Sequence, residues 1–266
     1  MQVRWGRPPL PREHGAWAML LTPPVVALMA LGPDVGGVHA MLGWFSAYAA
    51  RGPLEVLLGW GASGRAGMAQ GEPEVARFWL VAFALLAALF LTPSILRQPQ
   101  LLLLLAVALA LALSVFWFAQ HGEQRSLVAG LIAVTGLMAG APLYDLAASA
   151  GVTPRGWALT YACFAFFAGS VFRVKTMARE RRHSAFHGIS VAVHSAFLAG
   201  AVAGSALGWF PALLPLAVLP PLVWAVVCAW RARQGRAANL NRVGMSEVYL
   251  TICFAALAVL ALRMPF

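Results

Sequence analysis

Charge is what this sequence has least of: 11% of its 266 residues are Asp, Glu, Lys or Arg, whereas 61% are hydrophobic. That ratio excludes a soluble domain, because one core cannot hide so much apolar surface, and it points to an integral membrane protein. Acidic residues are scarcest, with 9 Asp and Glu against 19 Lys and Arg. The cationic excess does not indicate nucleic acid, since the cations sit mostly in short segments between apolar runs, where they set topology. Cys163, Cys228 and Cys253 lie far apart within apolar segments and have no CxxC or CxxH partner. They read as small buried hydrophobes, which excludes a disulfide framework and a zinc site. A cleavable leader is not expected either: the first apolar run follows the Pro-rich basic arm "VRWGRPPLPREHG" and has no short h-region with a cleavage site.

Apolar runs, by contrast, are abundant. A run of roughly 20 uncharged residues crosses the hydrocarbon of a bilayer. On that basis the fold class is all-α, a polytopic transmembrane helical bundle of about nine helices forming one membrane domain over 1–266. The spans are expected at 15–32, 38–60, 78–92, 101–120, 126–150, 157–171, 188–208, 211–230 and 248–262. The second contains Arg51, Gly52, Pro53 and Glu55, so it either breaks near Pro53 or ends there and is followed by a re-entrant piece. Glu55 stands four residues after Arg51, a spacing that neutralises the cation if the helix continues.

With the N-terminus in the cytoplasm, only Arg97, Arg155 and Arg263 of the 19 Lys and Arg fall on the far side, a strong positive-inside pattern. This gives a basic cytoplasmic arm at 1–13 and a basic cytoplasmic loop at 172–187. Trp44, Trp60, Trp79, Trp117, Trp157, Trp209 and Trp230 lie near predicted helix ends and read as an interfacial belt. The small-residue stretches "GLMAGAP" and "AGAVAGSALG" allow close helix approach and place 126–150 and 188–208 in the bundle interior.

Four polar clusters stand out: Arg12, Glu13 and His14 at the mouth of the first helix; Arg51 and Glu55 in the second; "FRVKTMARERRHSAFHGISVAVHS" after the sixth; and "NLNRVGMSE" before the ninth. In a closed bundle all four converge on one cytoplasm-facing opening. Charge at membrane depth costs on the order of several kcal/mol, which makes these residues functional candidates. If the sixth helix runs past the membrane, Lys175, Arg179 and Arg182 share a face as a cationic rib. With Arg12, Arg51, Arg173 and Arg181 they suit a phosphate or pyrophosphate. The same cations also serve as plain topology signals against lipid headgroups. His187 and His194 share a helix face about 10 Å apart, too far for one metal ion to bridge. Each can instead pair with His14 or His121 as an axial haem ligand, join a proton relay, or make a structural hydrogen bond. Asp145, the other carboxylate within a span, belongs near the side opposite Glu55.

The opening "PREHGAWAMLLTPP", followed much later by "VKTMARERR" and "HGISVAVHS", resembles the YwiC-like family of bacterial membrane proteins over most of the chain. The resemblance implies a multi-pass protein of the bacterial cytoplasmic membrane and no particular chemistry. Nine helices with polar clusters after the second and sixth are also similar to the UbiA-type prenyltransferase superfamily. That likeness implies a prenyl diphosphate held through magnesium by aspartate-rich motifs at those two places. This chain departs from it. "RGPLEVLLGWGASGRAG" offers Glu55 and no Asp, and "RVKTMARERRHSA" offers Glu180 alone, where a magnesium diphosphate clamp needs two or more carboxylates per site.

Three readings follow. The first is a cytoplasm-facing cavity for an amphipathic anion, an isoprenoid or lipid phosphate. Its enzyme version has the arginines bind phosphate, Glu55 or Glu13 act as base, and His14 shuttle a proton. The second is a haem-bearing redox subunit using two of His14, His121, His187 and His194. The third is a small-solute transporter or structural partner. Membrane lipids are the partners expected in every case, and the sequence names no cofactor.

Overall fold

The structure is a computed structural model and describes residues 6–11, 14–59, 73–178, 180, 183–234 and 240–264. All regular structure among the described residues is helical: α1 His14–Leu31, α2 Val35–Ala49, α3 Arg51–Leu57, α4 Pro73–Arg97, α5 Leu101–Gln120, α6 Leu127–Met138, α7 Gly140–Ala148, α8 Pro154–Ala178, α9 Ser184–Ala206, α10 Leu214–Arg233 and α11 Leu240–Arg263. Two pairs are interrupted rods. Pro53 has no N–H for the carbonyl of Ala49, four residues back, and its ring crowds that carbonyl, so α2 stops at Ala49 and α3 starts at Arg51. Pro142 does the same to Met138, the last residue of α6, and α7 begins at Gly140. Joining each pair gives nine rods among the described residues.

Seven of the rods are long and apolar enough to cross a membrane: Pro73–Arg97, Leu101–Gln120, Leu127–Ala148, Pro154–Met177, Ser184–Ala206, Leu214–Arg233 and Val243–Arg263. The apolar helix Gly15–Leu31 and the 15-residue α2 are shorter. The chain is a multi-pass membrane protein.

Lipid supplies no hydrophobic drive for helices to associate, so packing rests on shape. α8 lies at the centre, with Ala158, Ala162, Ala165 and Ala168 all buried along it, so that α1, α6, α9, α10 and α11 come close. Phe166 of α8 stacks on Phe254 of α11 with ring centroids 4.4 Å apart. α4 and α5 form the opposite flank, where Leu85 is 65% exposed and Leu103 72% exposed, as lipid-facing side chains are. Of the two stretches expected in the interior, α6 and α7 are there, while α9 puts only one stripe inward: His187, Ser190, His194, Ala201 and Gly204.

The 172–187 stretch is corrected by the structure. α8 runs through Ala178 and α9 starts at Ser184, so most of the expected loop is helix. Helix here survives a density of charge that usually marks the exit from a membrane, for a reason that the site itself shows.

The two ends of the bundle differ as the cation pattern requires. Arg97 closes α4, Arg155 opens α8 and Arg263 closes α11. This end is tied by Tyr144 Oη, which donates to the Gly32 carbonyl at 2.7 Å, by Ser94 Oγ donating to Gly36 at 3.0 Å, and by Arg263 Nη2 donating to Met29 at 2.7 Å. Asp145 is buried beside it, accepting from the Thr153 backbone N–H at the turn into α8.

Candidate functional site

Among the described residues, polar groups of the membrane interior gather in two places, not at one shared opening. α3 packs on α2 and α4, whereas α9 packs on α8 and α10, so the cluster of the second rod and that of the sixth are held apart.

The first place is a groove of about 310 Å³ between α2, α3, α4, α5 and α6. Its walls are almost wholly apolar, including Leu80, Leu105, Leu109, Val115, Ile132 and Leu137. Polar atoms come from α2 and α3. Arg51 Nε donates to Glu55 Oε1 at 2.6 Å, the pairing that the four-residue spacing suggested, and the Arg51 guanidinium lies 6.0 Å from the Tyr48 ring centroid. The break at Ala50 is what starts α3 at Arg51, and Gly52 lets the backbone of Pro9 pass against it. Trp44 also lines the groove, and its Nε1 is buried with no hydrogen-bond partner among the described residues. Trp44 was expected in the interfacial belt. Because α2 starts at Val35, three residues earlier than expected, Trp44 falls in mid-helix and its indole N–H faces the interior instead.

The second place joins α8, α9 and α11. Arg173, 1% exposed, is the largest fully buried side chain among the described residues. Its Nε donates to Glu247 Oε1 at 3.1 Å and its Nη2 to Glu247 Oε2 at 2.7 Å, a two-pronged ion pair between α8 and α11. Nη1 donates to His194 Nε2 at 2.8 Å. Arginine has only donors, so Nε2 is the acceptor and the ring proton sits on Nδ1, from which it is donated to the Ser190 carbonyl at 2.7 Å. His194 is therefore a neutral imidazole with both nitrogens in use. Gly169 makes room for it, since a Cβ there would lie 2.7 Å from His194 Nε2. One to two turns back along α9, His187 Nδ1 and Nε2 and Ser190 Oγ are buried with no partner among the described residues. Phe172 stacking on Phe186 fixes this register of α8 against α9.

The remaining candidates are spread out. Arg12, Glu13, Arg179, Arg181 and Arg182 lie outside the described residues, and so does the side chain of His14. Lys175 Nζ donates to the Arg125 carbonyl at 3.0 Å on an exposed edge. His121 ends α5, bonded to the Trp117 carbonyl and packed on the Trp117 ring, and α5 does not pack on α9, so His121 is not brought to His187 or His194. Glu180 pairs with His183 at 2.8 Å. No group of three His, Cys, Asp or Glu among the described residues is placed to hold a metal ion.

A sequence model of the family described as "YwiC-like protein" matches residues 10–145, just over half of the 266-residue chain. The chain belongs to the YwiC-like family. Among its relatives, "Uncharacterized protein YwiC" of Bacillus subtilis (strain 168) is 28% identical over 177 residues, covering 66% of this chain and 70% of that protein. An uncharacterized protein of Haemophilus influenzae is 24% identical over 253 residues, covering 94% of this chain and 96% of its own length. No solved structure matches. The part that the YwiC-like model matches runs from the N-terminal arm through Asp145 in α7 and so contains the groove. The Arg173 cluster lies beyond it.

The sequence assigns Glu247 no role of its own, although "NLNRVGMSE" is one of the four polar clusters. A signal was present: Arg173 sits two residues past one predicted span end and Glu247 one residue before another predicted start, which is equal depth at the same end of the bundle.

Proposed function

We propose that this YwiC-like protein binds an amphipathic anion, an isoprenoid or lipid phosphate, in the groove between α2 and α6. The apolar tail lies along the leucine and valine walls, and the anionic head meets Arg51, with the Trp44 Nε1 donor facing the bound molecule. The supporting observation is one apolar groove of about 310 Å³ that carries a guanidinium at its edge and, in its wall, a buried N–H with no partner among the described residues. Binding pockets have this makeup, apolar surface with few convergent polar groups. The Arg51 side chain is 24% exposed and keeps its Nε bond to Glu55, so a phosphate can approach the guanidinium from its exposed side. The Lys and Arg distribution supports a cytoplasmic position for this end of the groove and, with it, residence in the bacterial inner membrane.

Prenyl or lipid-phosphate transfer is not part of the proposal. Glu55, one candidate base, is held by Arg51.

The test is mass spectrometry of lipid that co-purifies with the protein. Wild type is expected to retain a phosphate-bearing lipid, and Arg51→Gln and Ala112→Trp, which fills the groove, to lose most of it. Equal retention by all three proteins overturns the proposal.

A further inference from the structure

The Arg173 cluster is an unusual thing to bury. A guanidinium keeps its charge under all physiological conditions, so in a low-dielectric bundle it always needs an anion. Here that anion is Glu247, and the two partners are not equally enclosed: the Arg173 side chain is 1% exposed and the Glu247 side chain 20%. Whatever arrives at this pair arrives at the carboxylate. Beside it, one stripe of α9 carries His187 and Ser190, 2% and 1% exposed, with three polar atoms that have no partner among the described residues. Packed interiors seldom leave three such atoms idle.

We propose that this cluster is a second binding site, for a monoanionic oxyanion of carboxylate or phosphate type taken up together with one proton. Arg173 is the anion's partner, and Glu247 is the group that the anion displaces. The proton forms a bond to one Glu247 carboxylate oxygen. The neutral acid gives up its contacts with Arg173 Nε and Nη2, and two oxygens of the incoming anion accept from those donors. His187 and Ser190 supply further hydrogen bonds at the same level of α9. Before uptake the site holds one positive and one negative charge; afterwards it holds the guanidinium, the bound anion and a neutral Glu247. Net charge is unchanged, which is the condition for doing this inside a membrane at modest cost. On release the proton leaves Glu247 and the ion pair reforms.

The surroundings are compatible with this exchange. α8 contributes Arg173 itself, with the Phe166 ring 5.6 Å from its guanidinium, and α9 contributes His194, His187 and Ser190. α10 brings Cys228 within electrostatic reach of Arg173 and Glu247, and Arg231 within reach of Cys228. On α1 the one titratable residue is His14, at the first position, and on α11 Arg242 lies one turn before Glu247; both of those side chains are outside the described set. His194 takes no proton without giving up its bond from Arg173.

The experiment is calorimetric titration of the full chain in detergent at pH 5.5, 6.5 and 7.5, with acetate and with dimethyl phosphate, both monoanions throughout that range. A parallel arm compares nanodiscs of phosphatidylglycerol and of phosphatidylcholine, which separates a lipid phosphodiester from a soluble anion as the source. Wild type is expected to bind at least one of these anions, with affinity falling by up to about tenfold per pH unit as pH rises and one proton taken up per anion. Glu247→Gln imitates the protonated acid and is expected to bind at least as tightly at pH 7.5, with the pH dependence gone. Arg173→Gln is expected to lose binding, and His187→Ala to weaken it several-fold. Absence of binding in every arm overturns the proposal, as does a pH dependence that persists in Glu247→Gln. Binding lost in Arg173→Gln belongs to this cluster and binding lost only in Arg51→Gln belongs to the groove, so failure here is distinct from failure of the groove.

Discussion

Arg51 and Arg173 are both paired with a glutamate, yet the pairs are opposites in construction. Arg51 meets Glu55 one helical turn away on the same short helix, and both side chains keep some exposure. Arg173 meets Glu247 across 74 residues of sequence and joins α8 to α11, with the guanidinium buried and only the carboxylate side partly exposed. The local pair forms within one short helix and keeps some exposure, so a ligand can reach it. The distant pair forms only when the bundle is assembled, and losing one partner strands a charge in the interior. The first half of the chain thus offers an apolar groove with a partly exposed cation, and the second half offers a buried cation beside polar atoms that have no partner among the described residues.

The comparison is best broken at its stronger member. Glu247→Ala leaves Arg173 buried and uncompensated and is expected to cost about 3–5 kcal/mol, read as a large loss of thermal stability and of monodisperse protein in mild detergent. The double variant Arg173→Met with Glu247→Leu is expected to recover most of that loss. If the single variant is as stable as wild type, the pair is not what joins α8 to α11.

Gly169→Ala probes the same region more gently. The added methyl would lie 2.7 Å from His194 Nε2, so the imidazole has to move off Arg173, at a cost of about 1–3 kcal/mol. A melting temperature equal to wild type would mean that the ring has another position available.

The smallest stability effect belongs to Arg51→Gln, below about 1 kcal/mol, because its pair is partly exposed and local. The comparison requires that this variant melt close to wild type while losing the co-purifying lipid. A melting loss as large as that of Glu247→Ala would erase the distinction between the two arginines.

Much of the fold is legible in the sequence because lipid imposes simple rules. Apolar run length gives nine rods, and Leu101–Gln120 agrees at both ends. Pro53 announces the break at Ala50, since a proline disturbs the carbonyl four residues before it; the parallel break before Pro142 follows from the same rule but sits in an uncharged run that draws no notice. Charge density is the rule that misleads. Arg173 and Lys175 read as loop residues, yet both are on α8, because Glu247 neutralises Arg173 from a helix that no local window sees. Of the four polar clusters, the third and fourth meet through Arg173 and Glu247, the second stays apart because α3 and α9 pack on different partners, and the side chains of the first lie outside the described residues.

The groove is the part of this account on which function rests, and ligand-induced stabilisation measures it directly. Farnesyl phosphate and farnesol share a tail and differ in the anionic head. Farnesyl phosphate is expected to raise the melting temperature of the wild-type protein well beyond farnesol, and that difference is expected to vanish in Arg51→Gln while surviving in Glu247→Gln. Equal stabilisation by the two compounds, or a phosphate effect that persists without Arg51, would contradict the assignment of the groove to an amphipathic anion.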